Sequence, residues 1–114
     1  MLLQDAKSIL SIADRPTKTI KVKEWNCEVI IRVLPASFRD KQDEIAAGGG
    51  STFKDWRSRM VAASIVNEKG EAVFNERHVN QLAEKSGKAL DSIVEEIIDF
   101  NAMGDEHVEE MAKN

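Results

Sequence analysis

The sequence predicts an α+β fold, mostly α-helical, with about four to five helices and one N-terminal β-hairpin. Three observations carry that expectation. Apolar residues recur at spacings of three and four along most of the 114 residues. The period drops to two in one paired stretch, "IKVKEWNCEVIIRVLP" at 20–35. A hydrophobic content of 42% then suffices for one core without disulfides or metal. The expected organisation is a single globular domain over 1–104, with the hairpin at about 19–34, followed by an acidic C-terminal tail over 105–114.

Taken in chain order, Leu3, Ala6, Ile9, Leu10 and Ala13 predict a short amphipathic helix over 2–13, stopped by Arg15-Pro16-Thr17. Ile20 and Val22 alternate with Lys21 and Lys23, and Val29, Ile31 and Val33 alternate with Ile30, Arg32 and Leu34, which predicts two strands. Their turn lies in "EWNCE". Asn26 tolerates the positive φ of a tight turn, while Cys27 stands where glycine is usual. Both faces of the second strand carry apolar groups. Because an isolated hairpin is marginal in water, those faces require cover from the chain's own helices or from another chain.

After Pro35, Phe38, Gln42 and Ile45 mark one side of a charged helix that ends at "AAGGGST", a flexible joint. These glycines follow a helix and lack the lysine of a phosphate-binding loop. The next helix aligns Phe53, Trp56, Met60 and Ala63, joined near its end by Val61, Ser64 and Ile65. Asn67 to Gly70 then form a turn before a brief extended piece, Ala72-Val73-Phe74. Lys69 sits in the middle of that turn and argues against a calcium loop. Asn75 offers an N-cap for a helix over 76–85, and Ser86 caps the last one. There Leu90, Ile93, Val94, Ile97 and Ile98 form the cleanest amphipathic pattern, expected to pack against the Trp56 helix. The segment 101–104 ends it, and "DEHVEEMAKN" keeps Val108 and Met111 as apolar neighbours.

Composition narrows the function classes. With 16 basic and 20 acidic residues the net charge is −4, and no Lys/Arg run is present, which disfavours nucleic acid. A lone cysteine, Cys27, and two histidines, His78 and His107, supply neither an internal disulfide nor an ordinary zinc site, and suit a reducing cytosol. No apolar run approaches the roughly 20 residues of a membrane span, and the first residues lack a basic leader, so a soluble chain is expected. Cys27 and His78 lack any motif of a nucleophile and base, and the adjacent pairs Glu95-Glu96 and Glu109-Glu110 diverge on a helix. No catalytic residue, metal or cofactor is therefore predicted, and the chain reads as a non-enzyme. Trp25, at the hairpin tip, is either a binding residue or a side chain packed on a helix. The candidate partner or self-association surface is Ile20, Val22, Trp25, Ile30 and Leu34, with Val108 and Met111 of the tail.

The order of "TKTIKVKEW", "EVIIRVLPASFRD", "WRSRMVAASIVNEKGEAVF", "NERHVNQLAEKSGKALDSI" and "NAMG" before an acidic tail resembles the tail assembly chaperone family of long-tailed, siphovirus-type phages and prophages. The resemblance runs from Lys18 onward, and its most specific parts are "VKEW", "SIVNEKGEAVF" and "LAEKSGKALDSI". Asn26-Cys27 stands where members often carry Gly-Gly, and the glycine joint at 48–50 is unusual. The resemblance implies the shorter product of a frameshifting gene. It would bind and solubilise the tape measure protein in the host cytoplasm, self-associate, help tail tube subunits assemble through its longer form, and be absent from the virion. It also implies a slippery codon run near Ala112-Lys113-Asn114, of the form A AAA AAC. The alternatives are a tail completion or connector protein retained in the virion, and a small acidic regulator or antitoxin-like binding protein.

Overall fold

The structure, a computed structural model, describes residues 1–49 and 55–102. The side chains of Phe53, His107, Val108, Met111 and the rest of the acidic tail therefore lie outside the described residues, as does Gly50 of the glycine joint.

Asp5 accepts from the Ser8 N–H at 3.0 Å and starts α1, Ala6–Leu10. This helix is much shorter than its apolar spacing predicts and buries none of its residues. The reason is physical: an isolated helix needs a dozen or more residues, or a packing surface, to persist, and this one has neither.

Strands β1, Thr17–Val22, and β2, Cys27–Arg32, pair antiparallel from Thr17↔Arg32 to Val22↔Cys27. They are joined by a 3₁₀ turn, Lys23–Trp25, and by Asn26 in the left-handed region at φ 51°, as its position in the turn predicts. The strands stop two residues short of the expected end. Val33 still donates to the Pro16 carbonyl at 3.1 Å, but Leu34 instead donates its N–H to Asn101 Oδ1 at 2.8 Å. α2, Ala36–Ala47, follows directly and carries Phe38 against the core.

α3, Trp56–Ser64, runs into a third strand that the periodicity does not reveal. β3, Ile65–Val66, pairs antiparallel with β2 through Ile30↔Val66 and Ile31↔Ile65, giving a three-stranded sheet of order β1-β2-β3. A bridge from Val66 to Ala72 folds the chain back along β3. The turn between them is built by Asn67, whose Oδ1 accepts from the N–H groups of Lys69 and Glu71, both at 2.9 Å, with Gly70 at φ 81°. The segment is a turn closed by the Asn67 side chain, as the sequence predicts.

Asn75 caps a 3₁₀ turn, Glu76–His78, which passes into α4, Val79–Ala83. Ser86 Oγ accepts from the Ala89 N–H and starts α5, Gly87–Phe100. Leu90, Ile93, Val94 and Ile97 form its buried stripe and pack with α3. Full burial of each such side chain contributes about 1.5–3 kcal/mol. Strand alternation sends Ile20, Val22 and Ile31 into the same core. Lys18–Glu96 at 3.3 Å and Arg57–Asp91 at 2.6 Å tie β1 and α3 to α5 at the surface. No helix among the described residues is long and apolar enough to cross a membrane.

Candidate functional site

On the face of the sheet turned away from α3 and α5 lies a groove that takes no lining residue from an α-helix among the described residues. In an antiparallel pair, residues directly opposite share a face, so Thr19, Ile30 and Val66 lie together on this outer side. β3 ends after Val66, and the chain turns away at Asn67 while β2 continues back to Cys27. The divergence opens a groove of about 550 Å³, floored by Ile30 and Val66 and walled by Trp25, Val73 and Phe74. Glu28 and Glu68 stand on its rim. Beyond Trp25 and Phe74 lies a second concavity of about 280 Å³, bounded by His78, Leu82 and Lys85. The two aromatic side chains therefore form a ridge between two apolar hollows.

Each ridge residue is held by its element. Trp25 ends the 3₁₀ turn of the hairpin, is half-buried and packs on the edge of the core. Phe74 follows the bridge at Ala72, also half-buried, with its ring edge-on to His78 at 5.7 Å between centroids and 73° between planes. His78 in turn accepts the Asn75 N–H at Nδ1, 3.0 Å away, closing a reciprocal capping box with the Asn75 side chain. That nitrogen is engaged in a cap. Cys27 is exposed on the hairpin, and no hydrogen bond joins it to His78. Among the described residues, no group of three His, Cys, Asp or Glu side chains is placed to hold a metal ion. Half-buried aromatic side chains beside apolar hollows bind by excluding water from apolar groups, and hot spots of binding are enriched in tryptophan.

The sequence-predicted surface divides. Trp25 and Ile30 line the groove. Ile20, Val22 and Leu34 are corrected from surface to core, since they are 5%, 1% and 4% exposed. The physical reason is that Ile20 and Val22 point from β1 toward α5, and the Leu34 side chain turns inward as its N–H bonds Asn101. Val108 and Met111 lie outside the described residues. Val66, Val73, Phe74 and Leu82 complete the site, and the sequence does not single them out. "AVF" is legible as extended, but its proximity to Trp25 depends on β3 pairing across a long chain separation.

No protein-family model matches the chain, and no curated protein matches it. Among solved structures, the fold is similar to that of the bacteriophage HK97 tail assembly chaperone. The likeness has a TM-score of 0.60 and covers 82% of this chain and 89% of that one at 17% sequence identity.

Proposed function

We propose, on the premise of a tail assembly chaperone fold, that this chain is a non-enzymatic chaperone of long-tailed phage or prophage tail assembly. The observation that carries the reading is the shared fold across 82% of the chain. The Trp25–Phe74 ridge gives it a physical means. It binds and solubilises the tape measure protein by covering apolar positions on that protein's surface, with Ile30 and Val66 as the floor and Glu28 and Glu68 as a soluble rim. A longer, frameshifted form brings tail tube subunits to the covered protein, and both forms act in the host cytoplasm and leave before the virion is complete.

Co-expression with the tape measure protein of the same tail gene cluster tests this. The expected result is a soluble complex that co-purifies, and Trp25→Ala reduces the recovered tape measure protein at least tenfold, since a hot-spot truncation costs about 2 kcal/mol or more. A tape measure protein that aggregates while this chain stays free, in both its short and longer forms, overturns the reading. Detection of the chain in purified particles then favours a retained connector.

A further inference from the structure

Past the groove floor, the outer face of β2 carries Arg32 two residues after Ile30 and opposite Thr17. Arg15 stands two residues before Thr17, and the Val33 N–H bonded to the Pro16 carbonyl extends the pairing one step beyond the strands. Arg15 and Arg32 are therefore diagonal neighbours on one face, within reach of long side chains. Both are half-buried and tethered to backbone: Arg15 Nε donates to the Val33 carbonyl and Arg32 Nη1 to the Gly70 carbonyl, each at 2.8 Å. Most of each guanidinium fork stays uncommitted. Among the described residues the ion pairs join Lys18 to Glu96, Arg57 to Asp91 and Arg59 to Glu76, so neither arginine has a carboxylate in contact. Burial first, and the neighbouring Arg32 charge second, lower the Arg15 pKa from the ordinary arginine value, with Asp14 acting the other way. Like charges held together at the edge of a fold are unfavourable until an anion joins them.

We propose that Arg15 and Arg32 together grip the carboxylate of an acidic residue on a partner protein segment that lies along the outer face and seats its apolar side chains in the Trp25–Phe74 groove. On the chaperone reading, which this assignment rests on, that segment belongs to the tape measure protein. The spacing defines it further. Ile30 and Arg32 are two strand positions apart, about 6.8 Å, close to the roughly 6 Å between residues i and i+4 along a helix axis. A partner helix with an acidic residue four positions from an apolar one therefore meets both. Glu28, Ile30 and Arg32 follow one another along the outer face as acidic, apolar and basic, so the bound segment runs basic, apolar and acidic in the same direction. Arginine forks match a carboxylate bidentately. A polyphosphate is disfavoured, because Glu28 and Glu68 on the groove rim and a net charge of −4 would repel its further charges.

Two measurements test this, and they fail separately. The first uses the full-length chain alone. Glutarate, a soluble carboxylate probe, is titrated beside sodium chloride and inorganic phosphate at equal ionic strength, and the Arg15 and Arg32 Nε–H signals are followed by NMR. A saturable shift with glutarate is expected, absent with chloride and lost at Arg32 in Arg15→Gln. No saturable shift, a shift that survives Arg15→Gln, or a phosphate affinity about tenfold above that for glutarate overturns the proposal. The second measurement is recovery of the co-expressed tape measure protein. Arg15→Gln is expected to lower it about tenfold, the scale of one charge-assisted hydrogen bond, and Arg15→Lys, which keeps the charge without the fork, to restore only part. Full recovery with Arg15→Gln where Trp25→Ala loses it overturns the acidic anchor and leaves the chaperone reading standing. No recovery with the wild-type chain fails that reading, and the glutarate titration then decides the carboxylate site. Should Arg15→Gln fail to fold, Arg32→Gln decides both measurements.

Discussion

Asn101 shows how much a single side chain can connect. Its Oδ1 accepts the Leu34 N–H at 2.8 Å and its Nδ2 donates to the Ile97 carbonyl at 2.7 Å, so the exit of the hairpin is fastened to the end of α5. Asn101→Ala leaves a half-buried backbone N–H without its partner and is expected to cost about 1–3 kcal/mol, read as a lowered midpoint in urea. Ser64 is the opposite case. Its Oγ is buried and has no hydrogen-bond partner among the described residues, so Ser64→Ala is expected to be neutral or to stabilise by up to about 1 kcal/mol in the same assay. A loss above that range would mean the hydroxyl is satisfied in solution. Asp5 supplies a pH dependence. Hydrogen bonding from Ser8 to its carboxylate holds its pKa below the ordinary 3.8. A depressed acid stabilises above its unfolded value and loses that contribution as pH falls through the folded one. The α1 amide protons, Ser8 first, should therefore lose protection from exchange on acidification below about pH 4, and Asp5→Asn should flatten that dependence.

Among the elements, α5 is the one whose sequence and structure agree most fully, because its stripe of Leu90, Ile93, Val94 and Ile97 is wide enough to require burial and its cap, Ser86, stands where a cap is needed. Ile93→Ala is expected to cost about 2–5 kcal/mol by opening a cavity between α5 and α3, measured by thermal or urea unfolding. A cost below about 1 kcal/mol would be incompatible with the packing described. β3 is the element that periodicity cannot show. Ile65 reads as the end of the preceding helix, and two residues are too few to display a strand period. Their strand geometry comes from β2, which offers Ile30 and Ile31 as pairing partners. α1 fails in the other direction. Its spacing is helical and its cap is real, yet without a surface to pack on, only Ala6–Leu10 stay helical.

For the whole molecule, the sheet divides the apolar residues of the hairpin between two destinations. The face toward α3 and α5 becomes core, and the opposite face, with the Trp25–Phe74 ridge, remains an open apolar groove. Ile30→Asp is therefore expected to leave the fold cooperative while weakening partner recovery at least tenfold, whereas Ile31→Asp, with a fully buried side chain, should abolish cooperative unfolding because it places a charge in the core. Equal effects of the two substitutions on folding would erase the distinction between the faces. The residues alone settled the α+β class, the hairpin and its Asn26 turn, the caps at Asn75 and Ser86, and the buried stripe of α5, because each depends on contacts or dihedral preferences within a few positions. They also marked Trp25 as exceptional, without choosing between core and surface. Tertiary structure decided that Ile20, Val22 and Leu34 go inward, that β3 joins the sheet, and that Phe74 stands beside Trp25. Those outcomes turn on which face of a strand meets a helix and on pairings between residues more than thirty positions apart, and local periodicity carries no information about either.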